Sequence, residues 1–310
     1  HSWHLVYALA GAGHDVTLFA SGDSAHALPK GATLFPVLKE HYDAEFPWHD
    51  FHGTDALNTH VDQGFSKACR ALLDGNFDVI HNNSLHRYPP RLARVHRLPM
   101  VTSLHIPPFD ALSRSVGESL APWCRFTVTS SRQLDVWWPT GAPPQASVVY
   151  NGIDPKVWPF SSGGDGSAVW AGRITATKGT HLAAEAAAIA GRALKIFGVI
   201  ENQTYFDDMV APHLSPTIEY MGHVEGAELA QAYGQASALL FTPMWEEPFG
   251  LAAIEAMATG LPVAATDMGA TREVIGPAGQ IAPPDDPEAL ALALLATDLI
   301  DPEQVRARVD

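Results

Sequence analysis

Short runs rich in apolar and β-branched residues recur along this 310-residue chain, separated by alanine-rich stretches of helical length. That alternation constrains the fold more than any other feature. Strands linked through helices lie parallel, and the connecting helices must cover both faces of the sheet. Strands are predicted at 15–20, 77–81, 100–105, 126–130 and 147–150, and again at 168–171, 194–198, 218–222, 238–241 and 262–265. Several are apolar on both faces, as strands buried between two helical layers should be.

The length suits two domains of about 150 residues each. Asn151-Gly152-Ile153-Asp154-Pro155 closes the first half, and the polar stretch 161–166 follows as a flexible connection. The predicted division is 1–155 and 156–310, with a hinge near 155–166. The expected fold class is α/β, with two doubly wound Rossmann-like domains facing across a cleft. Residue 1 falls inside a helix predicted over 1–12. A doubly wound domain is expected to begin with a strand and a glycine-bearing loop ahead of such a helix, so the reading has that first strand missing. The second domain is read as incomplete at its end. Ligands of open α/β sheets bind beyond the carboxyl ends of the strands, so chemistry is expected in the loops that follow them.

Charge narrows the partners. The chain carries a formal net charge of −15, unevenly placed: the first 150 residues hold 13 acids and 11 bases, leaving 21 and 8 for the rest. An acidic second half disfavours nucleic acid. No apolar run approaches the roughly 20 residues of a membrane span. Two cysteines, Cys69 and Cys124, make no disulfide framework, and a cytoplasmic location is expected. Arg87, Arg91, Arg94 and Arg97 form one basic stretch, read as a solvated helix face with at most peripheral membrane contact. His49 and His52 have ligand-like spacing but read as a solvated loop. Asp207-Asp208 and Asp285-Asp286 read as solvated acids, so no metal site is predicted.

Two segments carry chemistry. The first runs from Pro243 to Val263 and contains Glu246, Glu247, Pro248, Phe249, Gly250, Leu251 and Glu255. It leaves a buried strand, turns through Pro248 and Gly250, and enters a helix that ends near Gly260. The start of that helix carries about half a positive charge, which suits a phosphate or a sugar hydroxyl. Glu247 ahead of it can take hydrogen bonds from hexose hydroxyls, and Glu255 within it from a ribose diol. The second segment, Gly172 to Gly179, follows strand 168–171 and places Arg173 and Lys178 in an otherwise acidic half. A planar guanidinium and a point ammonium there suit a diphosphate, whose charge grows as a glycosyl–phosphate bond breaks.

With Asn151-Gly-Ile-Asp154, Gly13-His14-Asp15-Val16 and Asp78-Val-Ile-His81, these segments resemble the retaining two-Rossmann-domain (GT-B) glycosyltransferases of family 4. The resemblance spans nearly the whole chain. It implies transfer of a hexose from a nucleoside diphosphate sugar, with a UDP-sugar the expected donor, to a hydroxyl acceptor. It also implies that Arg173 and Lys178 hold the diphosphate, Glu255 the ribose and Glu247 the hexose. The backbone of Phe249, Gly250 and Leu251 would meet sugar and phosphate, Val224 would lie near the base, and His105 beside donor sugar and acceptor. No cofactor and no metal are implied. Where the family often has a double glycine before a glutamate, this chain has Gly269-Ala-Thr-Arg-Glu273, and Glu273 is read as a helix cap. The rivals are a sugar-nucleotide epimerase or phosphorylase on the same architecture, and a catalytically silent sugar-nucleotide binder. The region 43–60, with Phe46, Trp48 and Phe51, is read as an acceptor-side loop.

Overall fold

A computed structural model describes residues 2–309, apart from the side chain of His49. The chain forms two compact units that interleave in sequence. Among the described residues, the first comprises 2–104, 108–127 and 143–146; the second takes 105–107, 128–142 and 147–309. Residues 128–142 therefore belong with the second unit, and the polar stretch near 155–166 lies within it rather than at the division. The predicted division at 155/156 places 128–142 with the first half; the contacts that hold this segment to the second unit come from residues more than a hundred positions away.

In the first unit, β1 (Val16–Ser21) pairs in parallel with β2 (Ala32–Leu38). A separate sheet has the order β3 (Ile80–Asn82), β4 (Met100–Leu104), β5 (Cys124–Val128), β6 (Ala146–Val148). The sequence reading missed β2, where Pro36 interrupts the pattern. Proline is tolerated here because β2 pairs on one side only, and the ladder shifts register beside it, between Ala20 and Ser21. The helix Asp55–Asp74 packs against β2, and Lys67 Nζ donates to the Pro36 carbonyl at 2.6 Å. A groove of about 940 Å³ opens beside β1, lined by Thr17, Phe19, Phe35, Phe77 and the helix Asp55–Asp74. Among the described residues no strand pairs with the other edge of β1.

The second unit holds a six-stranded sheet, parallel throughout. Its strands are β7 (Ala168–Ala171), β8 (Leu194–Phe197), β9 (Ile218–Gly222), β10 (Ala238–Phe241), β11 (Val263–Thr266) and β12 (Gly279–Ala282), in the order β12-β11-β10-β7-β8-β9. This is the doubly wound order, and its direction reverses between β7 and β10. Strand β12, begun by a glycine and short, was not anticipated. Alternation along the strands feeds two cores: Val169, Leu239, Phe241, Val263 and Ala265 face one way, and Ala168, Trp170, Leu240 and Ala264 the other. The first core is covered by helices Gly226–Gln235 and Leu251–Ala258, the second by Thr180–Ala190 and Pro287–Ala296. Small alanines at 183, 184, 186 and 187, all fully buried, let Thr180–Ala190 lie close on the sheet.

Candidate active site

Where a doubly wound sheet reverses direction, the loops leaving the two central strands diverge to opposite faces and open a crevice. Here those loops follow β7 and β10, and they carry the two segments singled out in the sequence. The β7 loop runs through a single turn, Ala176–Lys178, to Gly179 at φ 62°. A Cβ at Gly179 would run into the Thr242 carbonyl oxygen just beyond β10, so only glycine allows this approach. Thr242 Oγ1 in turn meets the carbonyls of Lys178 and Gly179, each at 2.9 Å, and accepts from Trp170 Nε1 at 2.9 Å. Met244 N donates to Thr177 O at 2.8 Å. The two loops are thus stitched side by side.

That stitching brings Lys178 to Glu247. Lys178 Nζ donates to Glu247 Oε2 at 2.6 Å, Trp245 Nε1 donates to the same oxygen at 2.7 Å, and the ammonium lies 5.1 Å from the Trp245 ring centre. The Glu247 side chain is 9 % exposed and that of Lys178 21 %, so this pair is largely shielded from water. Trp245 went unassigned in the sequence reading, although its place two residues before Glu247 in an apolar setting was the available signal.

Beyond Glu247 the chain turns at Phe249, which is buried, and enters the helix Leu251–Ala258 with Gly250 at its N-cap. No side chain caps this helix start. Glu255 stands within the helix. Burial pushes its carboxyl up to about 7, from an ordinary 4.5, and among the described residues it has no hydrogen-bond or ion-pair partner. The buried Tyr233 hydroxyl is raised by desolvation first and by the nearby Glu255 charge second.

Arg173 takes a different partner from Lys178. Its Nη1 donates to both Glu201 oxygens, at 3.0 and 2.8 Å, and its side chain is 65 % exposed. The loops after β7, β8 and β9 are joined beneath it by Ile174 N to Val199 O at 2.9 Å and Gly198 N to Gly222 O at 2.9 Å. Val224 lies just beyond, partly buried against the core. His105 follows β4 but clusters with the second unit, in a segment held by Trp137 Nε1 donating to Ile106 O at 3.0 Å.

Several other readings are refined. Glu273 does not cap its own helix, Thr271–Ile275. Its carboxylate accepts from Ser131 N at 2.8 Å and Arg132 N at 3.0 Å, and so caps the helix Ser131–Trp137. Asp286, read as a solvated acid, caps Pro287–Ala296 by accepting from Ala289 N at 2.8 Å. The basic stretch is internally engaged: Arg91 pairs with Glu118 at 2.9 Å, Arg87 with Asp62 at 2.5 Å, and Arg94 and Arg97 lie over Trp123. Among the described residues, no three His, Cys, Asp or Glu side chains form a metal-binding group; His49 lies outside them. No helix among them is long and apolar enough to cross a membrane.

Known proteins share this arrangement. A family model described as Glycosyltransferase Family 4 matches residues 1–157, and one described as Glycosyl transferases group 1 matches 166–297. Glycogen synthase of Mycobacterium tuberculosis is 27 % identical, over 99 % of this chain and 83 % of that protein. Phosphatidyl-myo-inositol mannosyltransferase of Mycobacterium leprae is 29 % identical, over 74 % of this chain and 67 % of its own length. Among solved structures, HepE of Anabaena, in complex with UDP and glucose, superposes with a TM-score of 0.70 at 16 % identity. It covers all of this chain and 89 % of that one. The family match, and the GT-B fold common to the structural neighbours, lead to one conclusion: the chain belongs to Glycosyltransferase Family 4 and is a GT-B glycosyltransferase.

Proposed function

We propose that this chain transfers a hexose from a nucleoside diphosphate sugar to a hydroxyl acceptor, with retention at the anomeric carbon. The observation that carries the proposal is the shielded Lys178–Glu247–Trp245 cluster beside an uncapped helix start at the sheet's reversal point. In this reading Lys178 and Arg173 hold the diphosphate, and stabilise the charge that builds on it as the glycosyl bond breaks. Each is held by a carboxylate without the donor. The exposed Arg173–Glu201 pair stabilises the protein by about 0–1 kcal/mol at most, so a diphosphate exchanges for Glu201 at little cost.

Glu247 then turns to the hexose hydroxyls, and the N–H groups at Phe249–Leu251 face sugar and phosphate. Glu255 takes the ribose diol, Val224 borders the base, and His105 stands by the reacting carbon and acceptor. The donor is taken as a UDP-sugar, a choice supported by HepE, whose structure holds UDP and glucose. Retention rests on the family resemblance. These fixed cations supply the charge for leaving-group departure, so no metal requirement is expected, and activity should survive EDTA.

A donor panel tests the whole reading. UDP-, GDP- and ADP-hexoses are incubated with the chain, and nucleotide release is followed with and without simple glycoside acceptors. The expected result is release with one donor class and a product of the donor's own anomeric configuration by NMR. Release from none, or isomerised nucleotide sugar as product, overturns it.

A further inference from the structure

We infer that Thr129, Ser130 and Arg132 are positioning residues: from 128–142 they lock the Glu246–Glu247–Pro248 turn in the geometry that meets the donor. This rests on the donor site proposed above.

Three contacts make the lock. Thr129 Oγ1 and Ser130 Oγ both donate to the Pro248 carbonyl, at 3.0 and 2.8 Å, and both residues are buried. Arg132 grips Glu246 with a two-pronged fork, Nε to Oε1 at 2.6 Å and Nη2 to Oε2 at 2.9 Å. The clamping segment is itself anchored, because Glu273 caps its helix and Tyr150 Oη donates to that carboxylate at 2.8 Å. Burial alone would raise the Glu273 carboxyl, but the Ser131 and Arg132 N–H groups and the Tyr150 hydroxyl hold it below its usual value, charged at neutral pH. On its other side the turn rests on Gly269–Ala270. Ala270 N donates to Glu247 O at 2.8 Å, and a Cβ at Gly269 would run into the Glu247 backbone.

The consequence follows from peptide geometry. Among the described residues no peptide bond is cis, and a trans peptide is planar with its C=O and N–H opposed. Tethering the Pro248 carbonyl to two hydroxyls therefore aims the Phe249 N–H away from them. Holding Glu246 outward on Arg132 leaves its neighbour Glu247 to face Lys178. Reacting groups misplaced by an ångström lose rate steeply, so a clamp of this kind acts on donor use more than on stability. Arg132 is half-exposed, and loss of an exposed pair costs the fold little.

The test compares Arg132→Ala, Glu246→Ala, Arg132→Ala with Glu246→Ala, Arg132→Lys and Thr129→Val with the unaltered chain. Donor KM, kcat, UDP binding by calorimetry and Tm are measured for each. Arg132→Ala and Glu246→Ala should each raise donor KM about three- to tenfold, the double variant no more than either, with Tm nearly unchanged. Arg132→Lys should recover part of the loss, and Thr129→Val should raise donor KM in the same direction. Unchanged donor KM and UDP affinity in every variant, with the unaltered chain binding UDP, overturns the clamp and leaves the donor site standing. A KM rise that merely tracks falling Tm also overturns it. No UDP binding by the unaltered chain overturns both.

Discussion

Glu255 has a carboxyl that burial makes titrate near neutrality. Its raised carboxyl predicts two pH dependences of opposite sign. For stability, the group is protonated in both states below about 4.5; between there and about 7 only the unfolded chain ionises, so stability falls as pH rises and then levels off. Urea unfolding at pH 5, 6, 7 and 8 checks this, and Glu255→Gln should flatten the slope. For donor binding the ionised form is the better acceptor of a diol's hydrogen bonds, so affinity should rise from pH 6 to pH 8. UDP titrations across that range should lose their pH dependence in Glu255→Gln. Lys178 is expected to matter through the reaction and, because its loss leaves the shielded Glu247 carboxylate without its cation, through the fold as well. Lys178→Ala should lower kcat by about a hundred- to a thousandfold with donor, and a rate within a few-fold of the unaltered chain would refute its assignment to the diphosphate.

At the scale of elements, the loop after β7 is a rigid part rather than a mobile cover. Its turn is bonded at Lys178 and Gly179 to Thr242, and at Thr177 to Met244. Gly179→Ala meets a left-handed backbone and the Thr242 carbonyl together, so it should destabilise the second unit by about 2 kcal/mol or more and weaken UDP binding as Lys178 shifts. Chemical denaturation with and without UDP measures both effects. Thr242→Val should act in the same direction, because it leaves the Trp170 indole N–H buried without its acceptor. Gly179 closes a segment already singled out from sequence, but Thr242 does not stand out there, since a threonine after a strand carries no signal until its partners are known.

At the scale of the molecule, two compact units with separate sheets should unfold as separable steps. The residues assigned to the donor all cluster in the second unit, His105 included. UDP should therefore raise the transition of that unit by mass action and leave the other nearly unmoved. Calorimetry at rising UDP concentration distinguishes this from a uniform shift of both, which would put the ligand elsewhere.

The sequence by itself determined five of the six strands of the second unit to within a residue or so, because each is short, apolar and bounded by turns, and such local patterns survive without knowledge of partners; β12, opened by a glycine, escaped it. It also determined that Lys178, Glu247 and Glu255 lie in loops and helix starts after strands, since spacing along one chain fixes that much. Only the tertiary structure decided that β7 and β10 are neighbours, and hence that Lys178 meets Glu247 while Arg173 meets Glu201. It alone assigned residues 128–142 to the unit that holds the Glu247 turn, and Glu273 to the helix it caps. The reason is physical: hydrogen bonds and ion pairs between residues a hundred positions apart leave no periodicity in the chain, and are fixed by which strands lie side by side.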